Sequence, residues 1–138
     1  MNILTLYKNA SYPKSSGSKN HCNREHSWPK SYDFPDDGAD NYPNTDLHHL
    51  FASDGSYNSS RSNLPYGECD GSCLERETDA SHGKSGTSGI YPDGSNWQKG
   101  SGETGNWEVW EERKGDVVRA MFYMAVRYEG GFKGSLAF

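Results

Sequence analysis

The chain has 138 residues, with 16 glycines and 18 serines against a hydrophobic share of 32% and a mean hydropathy of −0.99. That leaves room for one domain, excludes a membrane span, and predicts a small, loop-rich fold whose thin core a metal, a disulfide or a partner would help to stabilise. The 13% of aromatic residues supply most of what that core can bury. The net charge of −5 is unevenly spread, with +4 over residues 1–30, −6 over 31–60 and −3 over 61–138. A basic arm beside an acidic segment suits a phosphate-facing edge next to a cation site, and suits a solvated surface equally well.

In chain order, the apolar run Met1–Tyr7 is too short for the core of a secretory signal. That fits a cytosolic chain or one whose leader has been removed. Residues 8–20 are polar and turn-forming, so 1–20 reads as a polar arm. Residues 21–29 read as a short strand stopped by Pro29, residues 33–45 as a loop and residues 46–51 as a second strand. Ser53 has N-cap chemistry, and Asp54 places a negative charge where a helix dipole favours it, so a helix is expected over 54–61, ended by Leu64-Pro65-Tyr66-Gly67. Residues 67–106 read as one long irregular connection. Trp107–Trp110 alternates like a strand edge, and the clearest helical period runs over 115–128, with Val118, Met121, Phe122, Ala125 and Tyr128 on one face and Gly130-Gly131 as its stop. No internal repeat is visible.

Three cysteines leave the redox reading open. Cys69 and Cys73 could close a small disulfide loop through Gly71, all three could be free thiols, or Cys22, Cys69 and Cys73 could join a histidine around zinc. Two other motifs fail. The Asp33–Asp40 stretch lacks the EF-hand register, since Pro35 stands at position 3 and Asn44 at position 12, which makes a solvated acidic turn the better reading. The Gly-rich stretch 83–105 lacks Gly-Lys-Ser/Thr in the arrangement of a phosphate-binding loop.

The chemistry-bearing side chains gather in Arg24-Glu25-His26 and in Asp46 through Asn63. Hydrolysing a phosphodiester needs a base for water and a cation against the charge that builds on phosphorus. A neutral His supplies the base, and a Glu and an Asn oxygen suit a hard divalent ion that keeps most of its waters. Glu25, His26 and Asn58 form such a set if the two strands pair and the helix packs across them. Adjacent residues of a regular strand face opposite ways, so Glu25 and His26 can share a site only where the strand ends or bulges.

The blocks Asn23-Arg24-Glu25-His26-Ser27-Trp28-Pro29, Asp46-Leu47-His48-His49-Leu50, Asn58-Ser59-Ser60-Arg61-Ser62-Asn63 and Lys114–Met124 resemble, in this order, the endonuclease I family of secreted or periplasmic bacterial nucleases. The resemblance covers about residues 22–67 and 107–128. It implies an α+β fold with a ββα-metal (His-Me finger) core, a C-terminal core helix and long irregular loops. The single domain 1–138 would then divide into the arm 1–20, the ββα-metal core 22–67, a long loop 68–106, and a strand edge with core helix at 107–129. It also implies that His26 is the general base and that Glu25 and Asn58 hold one Mg²⁺, for which Mn²⁺ or Ca²⁺ could substitute. The reaction implied is sequence-nonspecific cleavage of DNA, with RNA chemically allowed, to 5′-phosphate and 3′-hydroxyl ends by a monomer that acts outside the cytoplasm and on no membrane. Family members usually carry more chain on both sides of these blocks, which bears on where the protein acts more than on its chemistry. His49 often stands as Asn in relatives and is given no catalytic role.

Arg24 and Arg61 are candidates to hold a substrate phosphate or to pair with the acidic loop. Arg119 reads as paired with a neighbouring acid, His48 as a support, and His21 and His82 as exposed. The competing function is a catalytically inactive ββα-metal module that binds polyanions, expected to bind DNA in a salt-sensitive way without breaking it. A zinc-stabilised structural domain is a weaker third.

Overall fold

A computed structural model describes residues 1–14, 21–32, 41–83, 89–92 and 94–128. Strands β1 (Asn2–Leu4) and β2 (Ser11–Pro13) pair as an antiparallel hairpin. Strand β3 (Cys22–His26) pairs antiparallel with β4 (Leu50–Asp54), Cys22 opposite Asp54 and His26 opposite Leu50. Helix α2 (Gly55–Arg61) follows β4 directly and packs on both strands. The short helix α1 (Tyr42–Thr45) precedes a 3₁₀ turn, Leu47–His49. Strands β5 (Leu74–Arg76), β6 (Asn96–Lys99) and β7 (Asn106–Glu108) form a three-stranded antiparallel sheet in that order. Helix α3 (Glu111–Arg127) closes the described chain.

Several expectations need correction. The strand expected over 46–51 begins as the 3₁₀ turn, because the Asp46 carboxylate accepts the His48 amide hydrogen at 2.9 Å and tightens the chain before β4 starts. Asp54, not Ser53, caps α2, its carboxylate accepting from the amide of Ser56 at 2.9 Å. The connection over 67–106 is not wholly irregular, since it holds β5 and β6. These strands escape a period-of-two reading because Asn96, Gln98 and Lys99 are polar, and the ladder needs only their backbone groups. Of the zinc alternative nothing survives among the described residues: Cys69 and Cys73 form a disulfide and Cys22 is a half-buried free thiol in β3. The acidic turn at 33–40 and Gly130-Gly131 lie outside the described residues.

The N-terminal segment is core rather than a polar arm. Leu6 and Tyr7 pack with Leu64, Trp107, Val109, Trp110 and Val117 in the main apolar cluster. Backbone groups stitch this segment in: Leu6 N–H donates to Ala52 O at 2.9 Å, Trp110 Nε1 to Leu6 O at 2.8 Å, and Asn96 Nδ2 to Tyr7 O at 2.8 Å. Gly105 permits the β6–β7 turn to run against Leu64, where a Cβ would lie 2.8 Å from the Lys99 carbonyl oxygen.

Helix α3 starts four residues earlier than its apolar period suggests, with Glu111 and Glu112 in the first turn, where the helix dipole favours acids. Its buried face is Val117, Ala120 and Met124, so the expected face is turned by one residue and Val118 and Phe122 stand 49% and 57% exposed. Polar docking sets that rotation: the hydroxyls of Tyr123 and Tyr128 donate to Asp46 Oδ2 at 3.0 and 2.8 Å, and the Tyr123 ring stacks on His48 at 4.2 Å. Arg119 pairs with Asp116 one turn away, as the sequence suggests.

Candidate active site

Strand β3 ends at His26, with Glu25 opposite Phe51 and His26 opposite Leu50, and Ser27, Trp28 and Pro29 follow buried. Both reach one cleft of about 320 Å³, which Asn58 enters from the middle of α2 and Arg24, Lys30 and Ser62 help to line. The structure therefore brings Glu25, His26 and Asn58 together, with exposed Arg24 and Lys30 on the rim. The Arg24 carbonyl oxygen accepts from Asn58 Nδ2 at 3.4 Å. With that amide nitrogen committed, Oδ1 is the end of Asn58 left to act as a ligand.

His26 is half-buried, and its Nε2 lies 3.0 Å from the Asn44 carbonyl oxygen. A carbonyl only accepts, so Nε2 carries the hydrogen and the lone pair is on Nδ1. Burial lowers the His26 pKa below the ordinary histidine range, the Asn44 bond opposes this, and the nearby charges of Lys30 and Arg24 lower it further. His26 is thus neutral, with an acceptor nitrogen, at physiological pH. The fully buried His49 stands edge-on to it with centroids 5.2 Å apart, and its own Nε2 donates to the Pro43 carbonyl at 2.8 Å. His48 is exposed and bonds Asp46, and His21 and His82 are exposed.

Glu25 is 1% exposed and depends on its neighbours. Its Oε1 accepts from Tyr7 Oη at 2.6 Å and from Arg61 Nη1 at 3.0 Å, while Oε2 takes no hydrogen bond among the described residues. Burial pushes its pKa above the ordinary carboxylate range, and the Arg61 charge and the Tyr7 hydroxyl pull it back in part.

Arg61 corrects an expectation. It is 1% exposed, and besides Glu25 it donates to His26 O at 3.1 Å and Ser27 O at 2.9 Å, with its guanidinium 4.3 Å above the Tyr66 ring. Its charge is used inside the protein to hold the end of β3, so it is not placed to grip a substrate phosphate. Tyr7 and Tyr66 carry no local sequence signal that links them to the site, since they meet Glu25 and one another only across 18 and 59 residues of chain.

The donor set fits a hard divalent cation. A carboxylate oxygen and an amide oxygen are both hard ligands, and two protein ligands leave positions for water, as Mg²⁺ prefers. The open Oε2 of Glu25 in a cleft that Asn58 shares is the structural observation behind that fit.

The sequence profile of the Endonuclease I family matches residues 3–135. The chain is 39% identical over 132 residues to an extracellular ribonuclease of Bacillus amyloliquefaciens and 37% identical over 131 residues to an extracellular ribonuclease of Bacillus subtilis (strain 168). Each alignment covers 94% of this chain and 38% of the relative, so the chain spans about two fifths of the length of the curated relatives it matches. No solved structure matches it. No helix among the described residues is long and apolar enough to cross a membrane.

Proposed function

We propose that this chain, which belongs to the endonuclease I family, is a secreted, cation-dependent, sequence-nonspecific endonuclease whose ββα-metal core is β3, β4 and α2. The observation that carries the reading is the meeting of Glu25, His26 and Asn58 in one cleft, with His26 fixed by Asn44 so that Nδ1 is its acceptor.

In this reading, Nδ1 of His26 takes a proton from water as the water oxygen bonds to phosphorus. The P–O3′ bond breaks, and the 3′ oxygen leaves and is protonated from solvent, giving 5′-phosphate and 3′-hydroxyl ends. A divalent ion held by Glu25 and Asn58 would supply positive charge against the negative charge that builds on the phosphoryl oxygens. Asn44 keeps the His26 ring in one tautomer through the proton transfer, and Arg61 keeps Glu25 and the end of β3 in place. Arg24 and Lys30 sit where phosphates flanking the scissile one would pass, and phosphate contacts carry no base information, hence weak sequence preference.

No step uses a 2′-hydroxyl, and the relatives named above are extracellular ribonucleases, so RNA is a substrate to be tested beside DNA. The test is incubation of supercoiled plasmid and of a structured RNA with the protein. Cleavage is expected in Mg²⁺, to stop in EDTA and to return when Mg²⁺ is added back; full activity in EDTA refutes the cation role. Salt-sensitive plasmid binding without strand breaks would favour the inactive polyanion-binding alternative.

A further inference from the structure

We propose that Tyr7 and Tyr66 are positioning residues of the cation site, which together with Arg61 hold one oxygen of Glu25 from behind so that the other is presented to the cleft. The inference rests on the endonuclease reading for the identity of the ligand that Glu25 takes.

Tyr7 follows β1 and is fully buried. Its ring stands edge-on to Trp107 with centroids 5.1 Å apart, and its carbonyl oxygen accepts from Asn96 Nδ2 at 2.8 Å. Its hydroxyl lies 2.6 Å from Glu25 Oε1 and 2.6 Å from the Tyr66 hydroxyl. A phenol has one proton to donate, and a carboxylate oxygen only accepts. The Tyr7 proton therefore goes to Glu25, and the bond between the two phenols must be donated by Tyr66. Tyr66 has a second contact with the same assembly, since the Arg61 guanidinium lies 4.3 Å over its ring while Nη1 donates to the same Oε1. Two donors converge on one carboxylate oxygen, and the opposite oxygen has none among the described residues.

Core packing alone explains the Tyr7 ring but not its hydroxyl. A Phe would fill the same space against Trp107 without burying a polar group that needs partners. What the hydroxyl adds is direction: it fixes the carboxylate plane and leaves a single oxygen for a hard cation. Groups that orient a metal ligand in this way are worth about 10- to 100-fold in metal affinity.

The test is calorimetric titration of metal-free protein with Mn²⁺, cross-checked by the paramagnetic resonance signal of unbound Mn²⁺, for wild type, Tyr7→Phe and Tyr66→Phe. Circular dichroism and thermal midpoints report whether each variant is folded. Tyr7→Phe is expected to weaken Mn²⁺ binding about 10- to 100-fold. Tyr66→Phe is expected to weaken it by a smaller factor, because it removes the bond one step further out. Wild-type Mn²⁺ affinity in folded Tyr7→Phe overturns the proposal, as does wild-type affinity in Tyr66→Phe should Tyr7→Phe fail to fold. A wild-type protein that binds no Mn²⁺ overturns the cation reading together with this inference, a result distinguishable from failure of the two tyrosines alone.

Discussion

Replacing Arg61 by Met separates a structural arginine from a substrate-binding one. The guanidinium is 1% exposed and donates to Glu25 Oε1 at 3.0 Å, His26 O at 3.1 Å and Ser27 O at 2.9 Å. Removing one partner of a buried pair leaves the other uncompensated, at a cost of about 3–5 kcal/mol. A chain of 138 residues has a total stability of about 7–20 kcal/mol, so the variant should fold but be much weakened. Urea unfolding followed by tryptophan fluorescence reads this directly, because Trp97, Trp107 and Trp110 are buried. Adding Glu25→Gln removes the stranded charge, so the double variant should regain about 1–3 kcal/mol relative to additivity. DNA binding of the folded single variant, measured without divalent cation over a salt series, should keep its logarithmic salt slope. The reasoning is refuted if Arg61→Met unfolds at the wild-type urea midpoint while that slope falls by about one, the signature of a lost phosphate contact.

Three other outcomes are expected. His49 is fully buried and desolvation depresses its pKa from 6.5 to about 4, against a raising effect of the Pro43 bond. The unfolded chain thus binds the extra proton first: this contribution is intact above pH 6.5 and lost as pH falls to about 4, a difference of about 3 kcal/mol. Thermal midpoints over that window should fall steeply for wild type and less for His49→Asn, and parallel curves would contradict the assignment. The Cys69–Cys73 bridge closes a loop of separation 4, so reduction should cost about 2 kcal/mol by loop entropy; thiol titration of the denatured chain should count one thiol before reduction and three after, and three before would exclude the bridge. Replacing exposed Arg24 or Lys30 by Ala should leave the urea midpoint within about 0.5 kcal/mol and lower the DNA-binding salt slope by about one each; unchanged slopes would remove both from the substrate path.

The nearness of Glu25, His26 and Asn58 is more legible in the sequence than the fold around them. Glu25 and His26 end β3, and Asn58 lies on α2, which directly follows β4, the strand paired with β3, so motif order and helix signals suffice to place them near one another. Arg61 was open to two readings because charge alone does not reveal burial, and its partners come from 34 to 36 residues away. The helical period located α3 but gave the wrong phase, because Val118 and Phe122 are apolar yet outward, while Asp46, which turns the helix through Tyr123 and Tyr128, lies 77 and 82 residues from them. Strands β5 and β6 were hidden by polar side chains such as Asn96, whose amide bonds Tyr7 O and accepts from the Trp110 amide hydrogen inside the core.

The central claim is that His26, neutral and fixed by Asn44, takes the proton from the attacking water. The most direct measurement is the rate of supercoiled-plasmid nicking in Mg²⁺ by wild type beside His26→Ala, at matched folding. A loss of about 10²- to 10⁴-fold is expected, as for removal of a general base. A His26→Ala protein that nicks plasmid at the wild-type rate would contradict it.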